Sequence, residues 1–268
     1  MGDQIPMPII EILSNAHDKD LTNIQPTLLY NEGWMLRLVL DWLSHSKNHE
    51  IKCEVLDIEE KAIELSIPDD CKWFSEALLP SPFLRGKAGR EGYTHADGVV
   101  GKFCIGEDKK KKGKLSLNPG CDFFYVVEAK MFSPLSSGTI NAKGYNQAAR
   151  SIACIAELLL QKDLTEQKFE KLGFYVWLPK EHPDLKINSN NKLKDILDRE
   201  NIKTAIIKRM NEFDKESASW LRENIDSFVG KIDIRAITWD NIVKFIEEKD
   251  PEFGLGDFYE NCRKFNEI

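Results

Sequence analysis

A chain of 268 residues with 42% hydrophobic content is long enough to bury a substantial core, and one large α/β domain spanning 1–268 is its simplest organisation. No apolar run approaches the ~18 residues that cross a bilayer, and the N-terminus, MGDQIPMPIIEIL, has no basic segment followed by an apolar one, so a cytoplasmic protein with no membrane partner is expected. A net charge of −7 excludes coating of nucleic acid through the overall field, although a local basic patch could still bind it. The six cysteines, Cys53, Cys71, Cys104, Cys121, Cys154 and Cys262, show no CxxC spacing, which argues against structural zinc, an iron–sulfur cluster or a disulfide framework.

In chain order, Pro8 to Ala16 is a short apolar helix candidate, followed by a polar linker. Thr27 is the expected N-cap of a helix running to Leu43, with Pro26 blocking an earlier start. Leu28, Met35, Leu36, Val39 and Leu43 share one side of it, and Arg37 and Asp41 lie opposite. Glu32 interrupts the apolar stripe. A glutamate there needs a partner or a metal, unless it sits in a first turn where the helix dipole welcomes an anion. Ile51 to Ile58 and Ala62 to Ile67 alternate well enough for strands, though helix is also open. IPDDCKWFSEALLP predicts a turn in which Asp69 or Asp70 caps a short helix ending before Pro80. SPFLRGKAGREGY predicts a basic, glycine-rich loop.

Gly98 to Ile105 predicts one strand, Lys109 to Lys112 with Gly113 a hairpin tip, and Leu115 onward the returning strand. The lysine run is either a solvated tip or a phosphate contact. AKGYNQAARSIACIAELLL predicts a helix whose Ala148, Ala149, Ala153 and Ala156 permit close packing on a sheet. Leu172 to Leu178 predicts a buried strand, about Lys192 to Phe228 charged helices, and KIDIRAITW a strand followed by a helix capped by Asp240. The tail from Leu255 to Phe265 predicts a docking helix. Trp34, Trp42, Trp177 and Trp239 fall in element interiors and are expected in the core.

Within this pattern one stretch is anomalous. CDFFYVVEAKM should be a buried strand, yet it ends in Glu128 and Lys130, which the strand period of 2 sets on one face. Burying both charges without a purpose is costly. Asp97, in THADG, opens the expected partner strand, so hairpin closure would bring it beside Glu128. Two converging carboxylates favour a hard divalent cation such as Mg²⁺, with Mn²⁺ able to substitute. A neighbouring lysine could orient or deprotonate a water, or stabilise developing negative charge. These roles fit phosphodiester hydrolysis. His95 shares the face of Asp97, either supporting it or simply meeting solvent, and Tyr145 is expected to pack.

The layout resembles the PD-(D/E)XK nuclease superfamily, the restriction-endonuclease-like fold. The matching residues are Glu32 on an early helix, Asp97 on a strand, Glu128-Ala129-Lys130 on the next, and Tyr145, Gln147 and Arg150 around the following helix. The resemblance implies an αβββαβ core with a central mixed sheet flanked by helices, over about 27–178 plus strand 232–239. A helical insertion at about 190–228 and further C-terminal helices would be additions. It implies Glu32, Asp97, Glu128 and the Ala129 carbonyl as Mg²⁺ ligands and Lys130 as the catalytic lysine, with Gln147 in the site. The activity implied is a metal-dependent nuclease of restriction, defence or repair type, acting on DNA more than RNA, in a superfamily whose members often form homodimers. The sequence departs from the family pattern in three places. Ala96 rather than proline precedes Asp97, the literal Pro68-Asp69 falls at the expected helix cap and makes Asp69 only an alternative ligand, and Ser151 stands where a tyrosine would follow Gln147. The alternatives are a non-catalytic module of the same fold that binds nucleic acid or assembles, and a metal-dependent phosphoesterase acting on free nucleotides.

Overall fold

Aromatic and β-branched residues build the centre of the molecule: Phe123–Ala129 is buried at every position and Lys171–Leu178 at all but its first. The computed structural model describes residues 25–45, 50–56, 62–83, 91–106, 113–139, 142–185, 192–212 and 219–266. The expected helix Pro8 to Ala16 and the lysine run Lys109 to Lys112 lie outside them, as do residues 84–90 of the basic loop.

The elements follow in the order α1 (Pro26–Leu29), α2 (Glu32–His45), β1 (Glu50–Glu54), β2 (Ala62–Ser66), β3 (Lys72–Leu79), β4 (Thr94–Gly101), β5 (Phe103–Ile105), β6 (Leu115–Leu117) and β7 (Phe123–Ala129). Then come β8 (Gly138–Thr139), β9 (Ala142–Lys143), α3 (Gln147–Leu160), β10 (Lys171–Leu178), α4 (Lys192–Leu197), α5 (Arg199–Glu212), α6 (Ser219–Lys231), β11 (Asp233–Thr238), α7 (Trp239–Lys249) and α8 (Leu255–Asn266). A five-stranded mixed sheet of order β11-β10-β7-β4-β3 forms the centre. In it β4 is antiparallel to both β3 and β7, and β7, β10 and β11 are parallel to one another. The protein is therefore α/β with a central mixed sheet flanked by helices, as expected.

Alternation along the strands feeds two cores. Phe124, Val126, Phe174 and Val176 pack with Ile152 and Ala153 of α3, Ile206 of α5 and Phe228 of α6. Tyr125, Val127, Tyr175 and Trp177 face the other way, towards Leu36 and Leu40 of α2, Ile51 and Leu65 of the β1–β2 hairpin, Ile242 of α7 and Phe258 of α8. Trp42, Trp177 and Trp239 are buried, whereas Trp34 is only partly so. Gly98 lets α2 lie close to the sheet, since a Cβ there would stand 2.9 Å from Leu36 Cδ2. No helix among the described residues is long and apolar enough to cross a membrane.

Several expectations are corrected. Pro26 does not block the first helix but starts it, because its fixed φ suits the first helical position. That helix ends after one turn. The main helix starts afresh at Glu32, capped by Asn31, whose Oδ1 accepts from Trp34 N–H at 3.0 Å. Thr27 is thus no cap for it, and Leu28, outside the long helix, is 65% exposed.

The segment read as a capped helix before Pro80 is strand β3, paired antiparallel with β4. Its tertiary pairing overrides local propensity, and the half-exposed pattern of KWFSEALL hides the strand period. Asp69 and Asp70 sit on the preceding turn, where Asp70 pairs with Lys102 at 2.7 Å. The strand expected from Gly98 to Ile105 is broken after Gly101, and β5 pairs with β6 as a separate hairpin. Thr238, not Asp240, caps α7, accepting from Asn241 N–H at 3.2 Å.

Gly101 marks the break with φ +148°, and a Cβ there would lie 2.3 Å from the Phe123 carbonyl oxygen. Gly101→Ala is therefore expected to cost about 2–4 kcal/mol, read as a lower urea midpoint with an unchanged slope.

Candidate active site

The carboxyl-terminal end of β7 is where the charges gather. Even-numbered residues of β7 face α3, so Glu128 follows Phe124 and Val126 into the apolar layer, where it is 1% exposed. Lys130 lies just beyond the strand. Its main chain is held on both sides: its N–H donates to Trp177 O at 2.8 Å, and its carbonyl accepts from Trp239 Nε1 at 2.9 Å. Its ammonium turns back to Glu128 Oε1 and stands 3.9 Å from Asp97 Oδ2.

Asp97 stands inside β4, not at its opening. The β4–β7 ladder ends at Gly98 opposite Val127, and its continuation sets Asp97 across from Glu128. There the Asp97 side chain takes over from the backbone, Oδ2 accepting from Ala129 N–H at 2.8 Å. Opposite Asp97 on its other side is Glu76 of β3, which has φ +59° and interrupts the β3–β4 register between Ser75 and Ala77. A non-glycine residue in the left-handed region within a strand is strained. Its carboxylate stands near Arg37 (3.6 Å) and His95 (3.9 Å), so His95 is an exposed neighbour of the cluster.

Gln147 enters from α3. Asn146 caps that helix, its Oδ1 accepting from Ala149 N–H at 2.9 Å, and so fixes Gln147 as the first helical residue. Gln147 Nε2 donates to the Glu128 oxygen that also accepts from Lys130. Its Oε1 accepts from Ser136 N–H at 3.2 Å. Arg150 and Tyr145 lie elsewhere: Tyr145 is 3% exposed and packs edge-on against Phe83.

Two opposing shifts describe the electrostatics. Burial, then the Asp97 carboxylate, push Glu128 up to about 8, against the pull of Lys130. Burial lowers Lys130, but the Glu128 and Asp97 carboxylates outweigh it and hold the ammonium above its ordinary range. Near pH 7 the Glu128 carboxyl is therefore mostly protonated while the Lys130 ammonium stays charged.

Asp97, Glu128, Lys130, Gln147 and the backbone of Ala129 thus come together. Glu32 lies in the first turn of α2, the alternative left open for it above, and its carboxylate is near enough to help hold Lys130 charged. Among the described residues no group of three or more His, Cys, Asp or Glu side chains is close enough to hold a metal ion. Asp69 is excluded from the site. Its turn precedes Lys72, which pairs with Gly101 at the far end of β4.

Two buried polar residues next to the site, His182 and Asp184, fall in the polar run PKEHPDLKINSNN, where no periodicity marks them. Comparison with family models, with curated proteins and with solved structures found no match to this chain.

Proposed function

We propose that the protein is a Mg²⁺-dependent nuclease of the restriction-endonuclease-like type, hydrolysing phosphodiester bonds in DNA. The observation that carries the reading is the convergence of Asp97, Glu128, Lys130 and Gln147 at the end of a buried strand. The succession α2, β3, β4, β7, α3, β10, taken without the small hairpins β1–β2, β5–β6 and β8–β9, supports the reading.

The donor set suits a hard cation: two carboxylates, one of them held partly protonated by its burial and by the neighbouring Asp97 charge. Asp97 and Glu128 would hold the ion, with the Ala129 carbonyl the third ligand implied by the resemblance. Bound there, Mg²⁺ supplies Lewis-acid activation of the phosphodiester and neutralises its charge. Lys130, charged and anchored through both its main-chain groups, stabilises the negative charge that develops on the phosphoryl oxygens. Gln147 fixes the Glu128 oxygen and stops it from rotating away.

A second reading, a non-catalytic nucleic-acid-binding or assembly module, draws support from Lys130 itself, which bridges both carboxylates as a structural ion pair would. Incubation of plasmid and oligonucleotide DNA, and of RNA, with the protein and Mg²⁺ or Mn²⁺ separates the two. Cleavage by wild type and none by Asp97→Ala supports the nuclease. Absence of cleavage of every polynucleotide with either ion defeats it and leaves the module.

A further inference from the structure

The loop 131–136, of sequence MFSPLS, joins Lys130 to the residue that Gln147 grips, and it has no strand partner of its own. Ser133 and Pro134 are exposed at its crest. A loop of this kind follows solvent motion unless its backbone groups are tied down. Here they are tied from two directions. Gln147 accounts for one: Ser136 N–H donates to Gln147 Oε1 at 3.2 Å and Ser136 O accepts from Gln147 N–H at 3.0 Å.

The other direction is the connection that follows β10. His182 Nε2 meets Ser133 O at 3.0 Å, and Asp184 Oδ2 accepts from Leu135 N–H at 3.1 Å. The two residues also fix one another. Asp184 N–H donates to His182 Nδ1 at 3.1 Å, which leaves the ring proton on Nε2, the atom that must donate to Ser133. His182 N–H in turn reaches Pro179 O at 3.0 Å, and Lys192 Nζ stands 3.4 Å from Asp184 Oδ1.

His182 is fully buried and Asp184 is 5% exposed. Burying an imidazole and a carboxylate is costly unless each is matched to partners, and here the partners belong to the loop. Burial and the nearby Lys130 charge also hold His182 below the ordinary imidazole range, so the ring is neutral near pH 7, the form these bonds require. The clamp therefore lies within electrostatic reach of the lysine whose loop it holds.

We infer that His182 and Asp184 are positioning residues, which pin the loop 131–136 so that Lys130 and Gln147 stay set against Glu128. Neither touches the reacting atoms. The consequence for catalysis rests on the nuclease reading, whereas the clamp itself does not.

The test uses the full chain as wild type, His182→Ala, His182→Gln and Asp184→Leu. Two readouts are taken well below each melting temperature: DNA cleavage with Mg²⁺, and amide hydrogen exchange at Leu135 and Ser136. His182→Ala is expected to lower kcat by about 10- to 100-fold, with KM within about twofold of wild type, as for groups that orient a catalytic shell. Exchange at Leu135 and Ser136 should accelerate in both His182→Ala and Asp184→Leu while β7 stays protected. His182→Gln, whose amide N–H can replace Nε2, should recover most of the rate and the protection. Should His182→Ala fail to fold, Asp184→Leu, which removes the acceptor for Leu135 N–H, carries the comparison. Wild-type kcat in the folded variants that lose the Ser133 or Leu135 bond overturns the positioning role, and so does unchanged exchange at both amides. If wild type cleaves no polynucleotide, the nuclease reading fails by itself. The exchange readout then decides the clamp, with acceleration supporting it and unchanged protection overturning it.

Discussion

Glu128→Gln is expected to reduce DNA cleavage at least about a thousandfold while leaving the protein as stable at pH 8 as wild type, or more so. The loss of activity follows from removing the buried carboxylate, which no other side chain at the end of β7 replaces. The gain in stability follows from linkage. Glu128 titrates near 4.5 when exposed and is held up to about 8 in the fold. Below about pH 4.5 the carboxyl is protonated in both states, and its contribution to stability is complete. As the pH rises towards 8, the unfolded chain releases the proton before the folded one does, so this contribution is lost. Metal-free wild type should therefore lose a few kcal/mol of stability across that window, and Glu128→Gln, with no proton to release, should flatten the slope. Urea unfolding in EDTA at a series of pH values measures it. A wild-type curve that stays flat from pH 4.5 to 8 would contradict the assignment of Glu128 as a carboxyl held up by its burial beside Asp97.

Lys130→Ala should act in the opposite sense on stability. It leaves Glu128 and Asp97 facing each other with no ammonium between them. Removing one partner of a buried ion pair costs about 3–5 kcal/mol. The cost should be largest at pH 8 and shrink towards pH 5, where Glu128 takes up a proton instead. Cleavage should also be lost, because the charge that stabilises the phosphoryl oxygens is gone. The informative feature is the response to metal. If the two carboxylates are cation ligands, Mg²⁺ should restore more stability to Lys130→Ala than it adds to wild type, since in the variant the ion meets an unopposed pair. Equal responses in the two proteins would mean that Lys130 and the ion do not share a site.

The strands that carry the site were readable because their chemistry is concentrated. Phe123 to Val127 leave few alternatives to a buried strand, and charges at Glu128 and Lys130 stand out against them. Gln147 was legible once α3 was placed, because its helix is uninterrupted and its alanines mark the packed face. The mispredicted parts have a common physical cause, namely that long-range pairing overrode local signals. β3 is half-exposed and acquires its structure from β4, so its own residues read as a capped helix. The start of α2 depended on Asn31, a good capping residue masked by an apolar period that continued upstream through Leu28. Asp97 stands out by its chemistry but not by its place in the strand, since only the pairing with β3 shows that β4 begins before it, at Thr94. His182 and Asp184 were illegible altogether, because their partners are backbone atoms some 49 residues away.

On the proposed function, Asp97 and Glu128 form a cation site beside the Lys130 ammonium. A crystal structure of wild type grown with Mn²⁺ and collected at the manganese edge addresses it most directly. The expected result is an anomalous peak within ligand distance of both Asp97 and Glu128, with the Lys130 ammonium withdrawn from Glu128 Oε1. An anomalous map with no peak between these carboxylates at saturating Mn²⁺, and Lys130 still bridging them, would contradict it.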